Sequence, residues 1–328
     1  RRVISGPLPH SWTIGSGGLV GRSIDRALPN SFQASAIPWR DSQARLSVLS
    51  DSTSMFFDHV GRDSWCIVWA AGSGTVGSDE RSLEEETSAV QNFASTLADT
   101  LSDRGHQTSP GLCVLISSAG GVYAGTPNPP HSTHSTPSPI SPYGVAKLAQ
   151  ERAWRRTLSP VCPTLTIRLS NVYGEDQRLD KRQGLISQLA YSAATRQPLR
   201  IYVPLDTVRD YIHADDAARL VAGHIRDRLI DSADPSLQSE VIVASGEGTS
   251  IASLLRMMTD VSHRRIPVAA STSSSAASQA QDSRFIPDLP RGFISSGARA
   301  LPIGLQQVYQ GIVRQLQDHG AGTRVVAP

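Results

Sequence analysis

The stretch Thr13-Ile14-Gly15-Ser16-Gly17-Gly18-Leu19-Val20-Gly21 lies between a short apolar run at 12–14 and a helical pattern that continues to Leu28. Gly15, Gly18 and Gly21 fall at a spacing with a physical meaning. Glycine there permits the tight turn, the close approach of backbone to a pyrophosphate, and close packing of helix on strand. The helix N-terminus then offers its free N–H groups to phosphate oxygens. A glycine turn between strand and helix is also a common structural connection, so its surroundings decide how it is read.

Those surroundings have the rhythm of a doubly wound α/β protein. Strand patterns at 12–14, 32–37, 65–70, 112–116 and 164–169 alternate with helical patterns that include 84–101 and 143–157. The third and fourth strands are continuously apolar, as expected of parallel strands covered on both faces. Beyond Asn171 the rhythm changes to a helix at 184–195, a strand at 199–203, a helix at 213–230 and a strand at 240–244. The expected organisation is a Rossmann-like dinucleotide-binding domain over 1–170 and a smaller α/β substrate-binding domain over 171–328. Segment 205–235 is expected to return to the first. The Ser/Ala/Gln-rich 271–283 reads as a loop. Leu305, Val308, Tyr309, Ile312, Val313 and Leu316 recur at helical spacing and predict a C-terminal helix packed on the body. Six prolines between Thr126 and Pro142 predict an irregular loop.

Composition excludes several classes. The 328 residues carry 31 Lys+Arg against 29 Asp+Glu, a net charge of +2, with no basic footprint for nucleic acid or an anionic membrane surface. No apolar run approaches a membrane span. Cys66, Cys113 and Cys162 form neither a metal-binding pair nor an even disulfide set, and read as core residues of a cytoplasmic protein. Lys147 and Lys181 are the only lysines. Where arginine supplies nearly every positive charge, each lysine invites a question.

Lys147 belongs to Ser141-Pro142-Tyr143-Gly144-Val145-Ala146-Lys147. A helix places residues four apart on one face, so Tyr143 and Lys147 face together. A phenol is a poor base at neutral pH, and an adjacent ammonium favours its ionised form. The pair is therefore a candidate proton shuttle. Some 25 residues earlier the run 112–116 ends in Ser117-Ser118. A hydroxyl at the C-terminal end of a parallel strand stands beside the cofactor crevice. Ser118 is the expected catalytic and substrate-binding hydroxyl, with Ser117 as the substitute. The cofactor discriminator belongs at the end of the second strand, where Ala36-Ile37-Pro38-Trp39-Arg40-Asp41 has no acid at the strand end. Arg40 suits a 2′-phosphate and favours NADP, while Asp41 keeps NAD open.

Glycine loop, strand-end serine and Tyr-x-x-x-Lys, in this order, resemble the extended short-chain dehydrogenase/reductase superfamily and its NAD-dependent epimerase/dehydratase family. Trp69-Ala70-Ala71-Gly72, Arg168-Leu169-Ser170-Asn171-Val172-Tyr173-Gly174, Arg209-Asp210-Tyr211-Ile212-His213-Ala214-Asp215-Asp216 and Ser245-Gly246-Glu247-Gly248-Thr249-Ser250 are similar to further motifs of that family. The resemblance implies a nicotinamide dinucleotide, NAD or NADP, held by Gly15, Gly18, Leu19, Val20, Gly21, Arg40, Ala70, Ala71, Tyr143 and Lys147. It also implies a nucleotide-diphosphate sugar held by Ser118, Asn171, Arg209 and Arg284, a homodimer packed through two helices, and no metal.

Two departures narrow the reaction. The family's catalytic hydroxyl often stands where this chain has Ala119, and Val-Tyr-Gly is lengthened to Val122-Tyr123-Ala124-Gly125. Related 4,6-dehydratases carry an Asp and a Glu where this chain reads Ala119-Gly120-Gly121. Without those carboxyl groups the expected reaction is C4 epimerisation through a transient 4-keto sugar. The alternatives are a 4-ketoreductase and, from a different class, a catalytically inactive nucleotide-sensing protein.

Overall fold

Trp65, Ile67 and Trp69 of strand β2 (Trp65–Trp69) pack into one apolar cluster, while Cys66 and Val68 pack into another on the opposite face. Successive side chains of a strand point to opposite sides, so an uninterrupted apolar run requires cover on both. Strand β3 (Gly111–Ser118) repeats the pattern, with Cys113 and Leu115 on the first face and Leu112 and Val114 on the second. The first cluster is closed by α2 (Ser42–Val60), α3 (Glu80–Asp103) and α5 (Pro142–Leu158), which contribute Phe56, Phe93 and Trp154. The second is closed by α1 (Leu19–Ala27) and α7 (Ala214–Ile230), which contribute Ile24, Leu220 and Val221.

The computed structural model describes residues 9–104, 109–175, 177, 184–230, 239–270 and 279–322. Its central sheet is wholly parallel, in the order β1 (His10–Ile14), β2, β3, β4 (Thr164–Leu169), β8 (Glu240–Val243). Ile14 pairs with Trp69, Trp69 with Leu115, Ser118 with Leu169, and Leu169 with Val243. This register brings the chain after each of the first four strands to one edge of the sheet. The fold is the α/β Rossmann-like one, and a third cluster lies apart from the sheet. It joins α6 (Leu185–Thr195), α8 (Ile251–Ser262), α9 (Leu301–Gly322) and β6 (Leu199–Ile201), which pairs with β10 (Val268–Ala270). Leu305, Val308 and Ile312 of α9 are buried there, as their spacing predicts. Strand β5 (Asn171–Tyr173) pairs with β7 (Val208–His213), which also pairs with β9 (Gly248–Ser250) and β11 (Asp282–Ser283).

Two sequence expectations need correction. The expected strand at 32–37 is irregular: Ser31 makes a single bridge to Ser11, and Phe32 N–H donates to the Ser11 carbonyl at 2.7 Å before the chain diverges. Pro29 and Pro38 flank the segment, and each lacks a backbone N–H for a ladder. Phe32, Ala34 and Ile37 still pack on the first cluster, so their alternation reports burial rather than pairing. Beyond the expected returning segment 205–235, β8 also joins the main sheet by pairing with β4. Finally, the expected loop at 271–283 ends in β11; residues 271–278 and Lys181 lie outside the described residues. The three cysteines are free and buried, and among the described residues no helix is long and apolar enough to cross a membrane.

Candidate active site

The glycine turn divides its work between fold and cavity. Gly15 has φ +101°, and a Cβ there would lie 2.6 Å from the Ala71 nitrogen. A Cβ on Gly21 would fall into the Gly15 carbonyl. These two glycines let turn, strand and helix close on one another. Gly18 differs, since an added Cβ would meet only the Gly15 carbonyl at 3.6 Å, and Gly17 faces open space. Gly18 is the N-cap of α1, with no side chain to cover the helix N-terminus. Gly17, Gly18, Leu19, Val20 and Gly21 line a cavity of about 750 Å³ at the C-terminal edge of the sheet, where ligands of open α/β folds bind. That volume lies in the range of small-molecule and cofactor sites. Ala70, Ala71, Ser117, Ser118, Tyr143, Lys147, Asn171 and Arg209 line the same cavity.

Tyr143 stands in the first turn of α5, where Pro142 and the N-cap Ser141 start the helix; the Ser141 hydroxyl accepts from Gly144 N–H at 3.1 Å. Close contact positions its ring: a Cβ on Gly121 would lie 3.0 Å from Tyr143 Cε1, and one on Gly144 would strike the Gly121 carbonyl. One turn on, the Lys147 ammonium lies 5.7 Å from the Tyr143 ring centre. It donates to Glu86 Oε1 at 2.6 Å and to Gln150 Oε1 at 3.1 Å. Burial opposes its charge, and Tyr143 and Glu86 outweigh that, so Lys147 titrates above an ordinary lysine. Burial also opposes the Glu86 carboxylate, yet Lys147 and the N–H groups of Gly74 and Ser73 hold it below the usual carboxylate range.

The two serines have different partners. Ser117 Oγ donates to Glu151 Oε1 at 2.6 Å, and Glu151 is held by Arg168, which also donates to the Tyr123 hydroxyl. Ser118 Oγ accepts from Gly121 N–H at 3.1 Å as the N-cap of α4 (Ala119–Val122), which leaves its own proton free to donate. Ala119 is fully buried in a separate cluster behind the site.

On the far wall, Asn171 Nδ2 donates to the Asp210 carbonyl at 2.9 Å, at the junction of β5 and β7. Arg209 makes no carboxylate ion pair among the described residues; Nη1 donates to the Val208 carbonyl at 2.9 Å and Nη2 reaches Gln279 at 3.5 Å. Burial holds its guanidinium below the usual arginine value. Asp215 and Asp216, candidate partners for Arg209, are paired elsewhere, with Arg26, Arg219 and Arg299. Arg284 does not line the cavity, and its guanidinium is spent on Asp282 at 2.7 Å. Arg40 stands exposed on a turn outside the lining, and Asp41 caps α2 by accepting from Gln43 and Ala44. Among the described residues one group has its donor atoms arranged closely enough for a metal, Glu175, His213 and Asp215. The Arg299 guanidinium lies 3.5 Å from His213 Nε2 and 3.8 Å from Asp215, so positive charge is already there.

Comparison with known proteins shows the family and the fold. The family model described as "NAD dependent epimerase/dehydratase family" matches residues 14–230, from the end of β1 to the end of α7. A dTDP-L-rhamnose 4-epimerase of Burkholderia thailandensis is 30% identical over 134 residues, 40% of this chain and 35% of that protein. A dTDP-4-dehydro-6-deoxyglucose reductase of Escherichia coli is 30% identical over 104 residues, 31% of this chain and 33% of that protein. The aligned regions thus span about a third of the length of these relatives. Among solved structures, MoeE5 in complex with UDP-glucose and NAD superposes with a TM-score of 0.70 at 19% identity, covering 94% of this chain and 99% of that one. The glycine turn, the Tyr143–Lys147 helix and the Arg209 strand all fall inside the matched span, and the chain belongs to the NAD dependent epimerase/dehydratase family.

Proposed function

We propose that this protein is a nucleotide-sugar 4-epimerase that works through a transient 4-keto sugar. One observation carries the reading: Tyr143 and Lys147 line the cavity, and no Asp or Glu does so among the described residues. Elimination of water from a sugar needs an acid and a base besides the hydride step. Gly120 and Gly121 line the cavity, Gly121 against the Tyr143 ring, where a dehydratase of this family would place carboxyl groups. Hydride transfer with a single proton shuttle remains.

The open space at Gly17, the weakly contacted Gly18 and the uncovered N-terminus of α1 fit a dinucleotide pyrophosphate. A nicotinamide bound there supplies hydride acceptance and return. Both NAD and NADP belong to the reading, and competition between them for the cofactor-free protein decides. Tyr143 takes the proton from the C4 hydroxyl and later returns it, with the Lys147 ammonium 5.7 Å from its ring centre. The Ser118 hydroxyl donates to the C4 oxygen. Arg209, half-buried and in no carboxylate ion pair among the described residues, holds the diphosphate while the keto sugar turns to offer its other face. A homodimer through α3 and α5 completes the reading, and light scattering tests it.

Purified protein incubated with a panel of nucleotide sugars and no added cofactor, followed by NMR, is the direct test. Interconversion of C4 epimers is expected. Product that forms only when NADPH is supplied would assign a 4-ketoreductase instead.

A further inference from the structure

The most completely held side chain of the site is one that neither the glycine turn nor the Tyr-x-x-x-Lys pattern contains. Glu86 lies on α3, and its carboxylate and the Lys147 ammonium are each about 10% exposed at a separation of 2.6 Å. Glu86 Oε2 accepts from Ser73 N–H at 3.0 Å and Gly74 N–H at 2.9 Å, in the loop that follows β2. Gln150 Nε2 approaches Glu86 Oε1 at 3.4 Å. The loop is shaped around the carboxylate. A Cβ on Gly72 would lie 2.7 Å from Glu86 Oε1, and one on Gly74 would lie 3.1 Å from Oε2. Gly72, Ser73 and Gly74 all line the cavity, and Gly74 also approaches the Tyr143 ring.

We propose that Glu86 is a positioning residue of the proton-transfer site: one carboxylate ties the Lys147 ammonium to the cavity loop 72–74 and offsets part of the field that Lys147 exerts on Tyr143. The inference rests on the epimerase reading only for its kinetic consequence.

The groups acting on Lys147 are few. Tyr143 and Glu151 belong to its own helix, and Glu86 comes from α3. Glu151 is already engaged by Arg168 and Ser117, which leaves Glu86 as the counter-ion in direct contact. The Lys147 ammonium lies 5.7 Å from the Tyr143 ring centre, so a charge held beside the ammonium is also close to the phenol. Removing the Glu86 charge takes away a group that holds the proton on Lys147, so that proton is lost more easily. The acid limb of the rate profile then moves to lower pH.

The scarcity of lysine makes the test direct. Protein labelled with 13C at lysine has two side-chain signals, and Lys181→Arg removes one and so assigns Lys147. The wild-type Lys147 signal should keep its ammonium position across the alkaline range in which the fold persists. In Glu86→Gln it should move to the amine position at a pH lower by about one unit or more. The acid limb of kcat in the same variant should shift in the same direction. An unchanged Lys147 titration in folded Glu86→Gln overturns the proposal, whatever the enzyme turns over. A fall in kcat with no shift of its acid limb also overturns it, leaving Glu86 a packing role. If Glu86→Gln does not fold, Glu86→Asp retracts the charge by one methylene and must lower the Lys147 titration part of the way; an unmoved titration again refutes the assignment. A wild-type protein that converts no nucleotide sugar counts against the epimerase reading, and the Lys147 signal still decides the ion pair.

Discussion

The Ser117 hydroxyl lies 2.6 Å from the Glu151 carboxylate, inside a fully buried network that Arg168 closes. That bond gives different partners to two serines that the sequence leaves as alternatives. Ser117 supports the fold beneath the site, and Ser118 keeps a proton to donate into the cavity. Ser117→Ala leaves Glu151 short of one charge-assisted bond and should cost about 1–3 kcal/mol of stability, read as a lower denaturation midpoint. Its kcat should stay within a few-fold of wild type. Ser118→Ala should lower kcat by about a hundredfold, the usual scale for one lost donor to a developing oxyanion. The reverse pattern would transfer the catalytic hydroxyl to Ser117.

Two glycines of the same turn should fail in different ways. In Gly21→Ala the new methyl meets the Gly15 carbonyl, so turn and helix must separate and the protein should express poorly or melt early. Gly18 has room for a Cβ among protein atoms, its nearest neighbour being 3.6 Å away. Gly18→Val should therefore fold with near-normal melting and lose its copurified dinucleotide. A normal cofactor load in Gly18→Val would refute pyrophosphate binding at the helix N-terminus.

Local chemistry made much of this site legible, and distance hid the rest. The glycine turn and the Tyr143–Lys147 pair are readable because their meaning lies in spacings of three and four residues. Strands β2 and β3 are readable because burial on both faces writes itself as an unbroken apolar run. Segment 32–37 carries the alternation of a strand without the pairing, since apolar residues alternate wherever one side packs on a core. Glu86 sits in Glu84-Glu85-Glu86, which reads as a solvated helix face, and its partner is 61 residues away. Two signals were available: Leu83, Glu86 and Val90 fall at helical spacing on the packed side, and Gly72 with Gly74 leaves room for a side chain. Arg284 is the opposite case: it is named as a diphosphate ligand only by resemblance, and the acid paired with it stands two residues back.

Arg209 offers a test that separates ligand binding from folding. A half-buried guanidinium in no carboxylate ion pair contributes little to stability, so Arg209→Met should melt no earlier than wild type when no ligand is present. Wild-type protein should gain melting temperature on addition of a nucleoside diphosphate, by mass action. The variant should bind the same ligand about ten- to a hundredfold more weakly, the scale of a lost charged hydrogen bond. Equal stabilisation of both proteins would place the diphosphate elsewhere.

Tyr143→Phe removes the proton shuttle and little else. The ring is held between Gly121 and Gly74, contacts that phenylalanine reproduces, so the fold and the cavity should persist. Loss of a general acid–base group lowers the rate by about 10²–10⁴-fold. The cofactor load should stay near that of wild type, because the glycine turn and Lys147 are untouched. A catalytically inactive sensor of nucleotides would show the contrary, with ligand binding unchanged and no turnover for the substitution to lose. Full turnover in Tyr143→Phe would remove the phenol from the mechanism, and the Lys147–Glu86 pair would then need a different chemical purpose.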